Sequence, residues 1–156
     1  MKIIGLLLLA ACTVYTGFLI AKSFTARFEY LKRIHKMLLE IKNFIQFREL
    51  KIYEIIERLD FNLAFLKFSQ HGDFLENWEN SVNNDKNLYP KERELLLQFG
   101  RELGTTNTAG QIAILDFYIN SFQTLISEFS ECISKKTKSY KAMGIFTASV
   151  IFIIGI

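Results

Sequence analysis

The stretch "LQFGRELGTTNTAGQIAIL", residues 97–115, sets Gly100 and Gly104 four apart, then follows them with a Thr/Asn run and another glycine. Glycine-rich turns can cradle phosphate, because bare backbone lets several N–H groups converge on one anion. The phosphate loop needs G-x-x-x-x-G-K-[ST] after a strand. Here the glycines are too close, no Lys-Ser/Thr follows, and the preceding residues repeat at helical spacing. The other chemical residues are equally unorganised. His35 falls on an apolar stripe, His71 precedes Gly72, and Cys12 and Cys132 stand apart from both. No set has the ligand spacing of a zinc site. The carboxylates lie on amphipathic segments, where a solvated face is the default. The sequence therefore predicts no catalytic residues, no cofactor and no metal centre, and the chain reads as a non-enzyme. An acidic body could still attract a basic partner or a divalent cation.

Helix chemistry accounts for most of the glycine stretch. Gly104 is placed to end a helix in a left-handed cap. Thr108 with Gln111 gives Thr-x-x-Gln, a capping-box pattern for the next helix. The segment then reads as an antiparallel helical hairpin. Gly100 is left over. Inside a helix glycine costs about 1 kcal/mol against alanine, so its position predicts that another helix packs closely there.

The elements around the hairpin are helical throughout. One proline, scattered glycines and apolar residues at three- and four-residue spacing predict an all-α fold. A first helix carries Phe24, Phe28, Leu31, Leu38 and Ile45 on one stripe and turns Lys22, Glu29, Lys32, Arg33, Lys36 and Glu40 away. After a break near 47–51 come a helix at about 52–59 and a short one at 63–70 closed by Gly72. Asp73 is a predicted N-cap with Glu76 three residues on. Phe74, Trp78 and Val82 form the apolar edge of that helix, with Trp78 as a core anchor. Residues 83–88 read as a loop, and Pro90 suits the first turn of the next helix. The last helix, about 109–140, sets Ile112, Leu115, Ile119, Phe122, Ile126, Phe129 and Ile133 at alternating three- and four-residue steps. That heptad seam, widened by Ile114, Tyr118 and Leu125, suits a bundle core better than a partner.

Charge and hydropathy place this bundle between two membrane legs. Residues 3–21 carry no charge between Lys2 and Lys22 and span about 28 Å as a helix, close to the hydrocarbon thickness. Residues 142–156 form a second uncharged run after Lys141. It reaches only about 22 Å, short for a span, so either it ends inside the bilayer or it continues further, and a longer natural chain is the expectation. Net charge is +4 over 22–47, −6 over 48–134 and +4 over 135–141. The acidic body argues against a nucleic-acid groove. The basic necks, including Lys22, Arg27, Lys135, Lys136, Lys138 and Lys141, set the expected topology: 1–21 and 142–156 in the membrane, 22–141 in the cytoplasm. Thr13, Gly17 and Ala21 on the first span, and Gly144 and Ala148 on the second, repeat every four residues, as close-packing membrane helices do. A rival reading starts from "LAAC", Leu9 to Cys12, which looks like a lipoprotein cleavage box. It would make the chain a lipoprotein or membrane-anchored sensor, lipidated at Cys12, with an extracytoplasmic body. The apolar run continues to Ala21 without a polar tether, so length and flanks favour the uncleaved span.

The residues also carry a resemblance. "YTGFLIAKSF", "LLEIKNFIQF", "FLENWENSV" and "ERELLLQFGRELGTTNTAGQ" follow in order, and the chain resembles the stage III sporulation protein AB family over its whole length. The most specific part is Phe99-Gly100-Arg101-Glu102-Leu103-Gly104 followed by Gln111, with Trp78 upstream. Where the family often carries an acidic residue this chain has Asn107. The resemblance implies a subunit of the channel complex between mother cell and forespore, with a cytoplasmic bundle similar to the platform protein of type II secretion and type IV pilus systems. It further implies a cytoplasmic secretion-type ATPase (stage III sporulation protein AA) and other stage III channel subunits as partners. The expected location is the mother-cell-facing outer forespore membrane.

Overall fold

The computed structural model describes the backbone of residues 2–48, 52–59, 63–67 and 73–155, and the side chains of 22–47, 54–59, 63–67 and 73–133. Five α-helices are described: α1 (Lys2–Arg48), α2 (Ile52–Arg58), α3 (Phe74–Asn84), α4 (Pro90–Glu102) and α5 (Thr108–Gly155). A short 3-10 turn, Ala64–Leu66, lies between α2 and α3. No strand occurs among the described residues, so the fold is all-α. Chain contacts divide it into two units, Met1–Phe28 with Ser127–Ile156, and Glu29–Ile126.

The second unit holds the apolar core. From α1 it buries Tyr30, Leu31, Ile34, Met37, Leu38 and Ile41, successive positions on one helical stripe. This stripe is turned from the predicted one: Ile34 and Ile41 lie near its middle, while His35 and Ile45 are only half-buried at its edge. Burial of the His35 imidazole lowers its pKa from the ordinary 6.5, because desolvation penalises the cation. The α5 seam delivers Leu115, Ile119, Phe122 and Ile126 to the core, with Tyr118 beside them. Ile112, Phe129 and Ile133 on that seam are half-buried.

Caps and turns fix where the helices stop. The Asp73 carboxylate accepts from the Glu76 N–H at 3.4 Å, opening α3 as predicted. Pro90 occupies the first turn of α4, where its missing N–H costs nothing, and the Glu92 carboxylate reaches back to the Tyr89 N–H at 3.0 Å. Two expectations are corrected. Helix α3 continues through Asn83 and Asn84, which were assigned to a loop, and ends at Asp85. Of the predicted 63–70 helix, residues 63–67 form only a 3-10 turn over 64–66, and 68–70 lie outside the described residues. Leu63 and Phe65 are both fully buried, and residues two apart cannot share one face of an α-helix. His71 and Gly72 lie outside the described residues.

In the first unit, the Phe24 and Phe129 rings pack with centroids 6.2 Å apart, and the Arg27 guanidinium sits over the Phe129 face at 5.3 Å. Arg27 is half-buried and Lys22 is exposed. Among the described residues no helix is long and apolar enough to cross a membrane. The backbone of both predicted spans is helical, within α1 and α5, but their side chains lie outside the described residues. The side chains of Cys12, of the small residues Thr13, Gly17, Ala21, Gly144 and Ala148, and of Lys135, Lys136, Lys138 and Lys141 all lie outside the described residues.

Candidate functional site

Trp78 projects from the middle of α3 and is completely buried. A buried indole N–H needs an acceptor, and here it donates to the Leu96 carbonyl of α4 at 2.7 Å. The ring that makes this bond also covers the α4 backbone one turn further on. Residue 100 is there, and it is glycine: a Cβ on Gly100 would meet Trp78 Cδ1 at 2.3 Å and Nε1 at 2.4 Å. Gly100 thus accepts its cost in helix propensity so that α3 and α4 can close on each other through the indole. The glycine that local helix chemistry left unexplained has a tertiary cause.

Aromatic rings extend this contact in both directions. Trp78 meets Phe65 edge-on at 5.6 Å and Phe74 at 5.8 Å. On the other side it meets Phe99 edge-on at 5.8 Å, and Phe99 meets Tyr118 of α5 at 5.4 Å. The series Phe65–Trp78–Phe99–Tyr118 therefore crosses from the 3-10 turn through α3 and α4 to α5. Such edge-to-face pairs add about 0.5–1.5 kcal/mol each beyond the area they bury. Tyr118 ends the series with a polar contact, its hydroxyl donating to Glu102 Oε2 at 3.0 Å. Burial first, and the Glu102 carboxylate second, raise its pKa well above the usual phenol range.

The turn between α4 and α5 is built from backbone groups that helix ends leave over. Leu103, buried, closes α4, and Gly104 follows with φ of 83°, a left-handed conformation that glycine adopts without strain. The Gln111 side chain then does something the capping-box pattern does not predict. Its Oε1 accepts from the Gly104 N–H at 3.0 Å, and its Nε2 donates to the Glu102 carbonyl at 3.2 Å. One buried amide satisfies a donor and an acceptor at the C-terminus of α4. Helix α5 is capped instead by Asn107, whose side chain accepts from the Gly110 N–H at 2.9 Å while its carbonyl accepts from Gln111 N at 2.8 Å. The predicted N-cap, Thr108, is the first helical residue. Gln111 is occupied across the turn, so it cannot complete a box with Thr108.

The structure thus brings Trp78, Phe99, Gly100, Leu103, Gly104 and Gln111 into one joint among α3, α4 and α5. Sequence reasoning missed a second joint at the far end of α4. There the Tyr30 hydroxyl of α1 donates to Asp85 Oδ2, while Asp85 Oδ1 accepts from the Asn87 backbone at 2.9 Å and side chain at 3.0 Å. Arg93 of α4 donates to the Asp85 carbonyl at 3.1 Å. Burial, then hydrogen bonding to Asp85, pushes the Tyr30 pKa well above the phenol range. The signal that could have found this joint is weak: an Asp-x-Asn turn pattern beside a tyrosine on the inner face of a helix.

The polar side-chain atoms of the two joints bond to one another and to backbone, except Arg93 Nε, which is buried without a hydrogen-bond partner. Among the described residues no three His, Cys, Asp or Glu side chains converge as metal ligands would. What the site presents is a shaped helical body.

Comparison with known proteins adds the family. The family model for stage III sporulation protein AB matches residues 2–156. The chain is 23% identical over 168 aligned residues to stage III sporulation protein AB of Bacillus subtilis (strain 168), an alignment covering 99% of this chain and 98% of the relative. No solved structure matches. With a match that runs from the first uncharged segment through the Trp78–Gly100 joint to the last, the chain belongs to the stage III sporulation protein AB family.

Proposed function

We propose that this protein is a non-enzymatic platform in the channel complex that links mother cell and forespore, holding a cytoplasmic secretion-type ATPase at the outer forespore membrane. The observation that carries the reading is one pattern: an acidic helical body lies in sequence between two basic necks, each adjoining an uncharged run. Basic residues stay on the cytoplasmic side of spans, so the body faces the mother-cell cytoplasm and the two runs cross the membrane. Family membership supports a role in sporulation. The partner ATPase, stage III sporulation protein AA, and the likeness to secretion platforms come from the resemblance. Aromatic stacking and the Gln111 and Asp85 joints give the body a fixed shape, as a docking scaffold requires.

The test is binding and turnover together. Full-length chain in lipid nanodiscs, mixed with the purified ATPase, is expected to retain it in co-sedimentation and to hydrolyse no nucleotide by itself. Robust hydrolysis by the chain alone, or loss of binding at every ratio tried, would sink the platform reading.

A further inference from the structure

The loop between α3 and α4 is held from the inside and presents its outer side to solvent. Asp85 sends its carboxylate inward to the Tyr30 hydroxyl, and Leu88 is buried. Arg93 Nη2 holds the Asp85 and Leu88 carbonyls at 3.1 and 3.3 Å. On this fixed backbone Lys86, Tyr89, Pro90 and Lys91 are all exposed, Tyr89 by 56%. The carboxylates of the loop are buried: Asp85 bonds to Tyr30 and Asn87, and Glu92 to the Tyr89 N–H. Glu94, further into α4, is the nearest exposed carboxylate in sequence. The tip is thus an aromatic ring between two lysines. Around Tyr30, α1 adds Lys32 and Arg33 against Glu29; Lys32 and Glu29 pair at 3.1 Å, so the balance stays positive.

The tip also has a defined place along α1. Tyr30 is nine residues past Ala21, the last residue of the first uncharged run, and Lys2–Arg48 is one helix. At the other end of α4, Glu102 meets Tyr118 of α5, and Asp116, two residues from Tyr118, meets Lys42 of α1 at 2.7 Å. Helix α4 therefore starts toward Tyr30 and finishes toward Lys42. The turn at its far end, residues 103–108, carries neither charge nor aromatic ring.

We propose that the Lys86–Tyr89–Lys91 tip rests on the headgroups of an anionic lipid surface, that of the membrane holding residues 3–21. The inference rests on reading that run as a span. Nine residues of helix put Tyr30 about 14 Å above the hydrocarbon. The headgroup layer takes up about 5–7 Å of that distance. Lysine stems, with a Debye length of about 8 Å, cover the remainder. Tyrosine suits such a boundary, with an apolar ring and a hydroxyl for water, and lysines next to a span are drawn to anionic lipid. The two ends of α4 differ as an end set against a membrane differs from one set in water. Contact at the tip fixes how the body stands on its α1 stalk.

Fluorescence quenching on the full chain tests this, in a background carrying Cys12→Ser and Cys132→Ser. A nitrobenzoxadiazole dye is placed on one introduced cysteine, and a nitroxide on the lipid headgroup is the quencher. Vesicles are phosphatidylcholine alone or phosphatidylcholine with phosphatidylglycerol. A dye at Asn84→Cys, exposed beside the tip, is expected to be quenched in the anionic vesicles and much less in the neutral ones. A dye at Thr106→Cys, exposed in the far turn, should be quenched in neither. Adding Lys86→Gln or Lys91→Gln should weaken the tip contact about fivefold each, the worth of one lysine at an anionic surface; both positions are exposed, and the melting transition should stay in place. Quenching at Asn84→Cys no stronger than at Thr106→Cys would overturn the contact, as would quenching indifferent to lipid charge and to both lysines. Alkaline extraction of the same vesicles reads the span separately. A chain that resists extraction without quenching at the tip keeps the span and refutes the contact. A chain that is extracted refutes the span, and the contact as proposed with it.

Discussion

The Trp78 indole occupies the volume that any side chain at position 100 would need. Its Cδ1 and Nε1 lie 2.3 and 2.4 Å from where a Cβ on Gly100 would stand, and the same ring is tethered to α4 through the Leu96 carbonyl at 2.7 Å. Contact and tether are made by the same ring.

Gly100→Ala is therefore expected to destabilise the protein despite alanine's advantage of about 1 kcal/mol in helix propensity. Overpacking a core costs about 1–3 kcal/mol or more, and here the obstructing atoms belong to a buried ring. Denaturant unfolding should show a net loss, and Gly100→Leu a larger one. Adding Trp78→Phe, which frees the space, should cost less in the Gly100→Ala background than alone. Simple additivity of the two changes would contradict the geometry.

Gln111→Ala should leave the Gly104 N–H without its partner, while the Glu102 carbonyl keeps the Thr105 hydroxyl. Losing part-buried hydrogen bonds of this kind costs about 1 kcal/mol, so a lowered melting temperature is expected. Gln111→Glu keeps an acceptor for Gly104 but loses the donor to Glu102, and should fall between. Equal stability of all three proteins would show that the amide is not engaged.

The two candidate caps of α5 are separable by mutation. Asn107→Ala should cost about 1 kcal/mol, the usual worth of an N-cap, and Asn107→Asp should hold or gain stability because the carboxylate caps as well and favours the helix N-terminus. Thr108→Ala should change little. A larger loss at Thr108 than at Asn107 would restore the Thr-x-x-Gln reading.

Titration should weaken the fold at both ends of the pH range. Tyr30 and Tyr118 hold their protons more tightly when folded than the ordinary phenol value of 10.0. The stability they contribute is complete below that value and is lost as pH rises beyond it. His35 holds its proton less tightly than the ordinary 6.5, so its contribution is present above that pH and is lost as pH falls through the folded value. Unfolding free energy measured against pH should decline on both sides. Tyr30→Phe should flatten the alkaline limb and His35→Gln the acidic one; unchanged limbs would count against these assignments.

What could be read from the sequence was whatever a residue does with its near neighbours. Asp73, Pro90 and Gly104 stand where helix-end chemistry puts them, since a cap bonds within three or four residues. Trp78 and Phe99 are legible as apolar positions at helical spacing. The contacts that join elements were not legible. Gly100 announced a close approach without naming Trp78, 22 residues away in the chain. Tyr30 and Asp85 lie 55 apart, and nothing local ties them. Gln111 shows the opposite failure: a local pattern was present, but its side chain found better partners across the turn. The turn of the α1 stripe toward Ile34 and Ile41 has the same origin, because helical spacing gives the width of an apolar face while the partner helices choose its centre.

Glu102 also has a consequence for how the hairpin opens. Its carbonyl receives Gln111 and the Thr105 hydroxyl, and its carboxylate receives Tyr118, so a single residue at the end of α4 is held by the turn and by two residues about two turns apart on α5. Fraying α4 from that end means releasing α5 with it. Backbone amides on the two sides of the turn should then exchange with deuterium at one common opening rate, as a single cooperative segment.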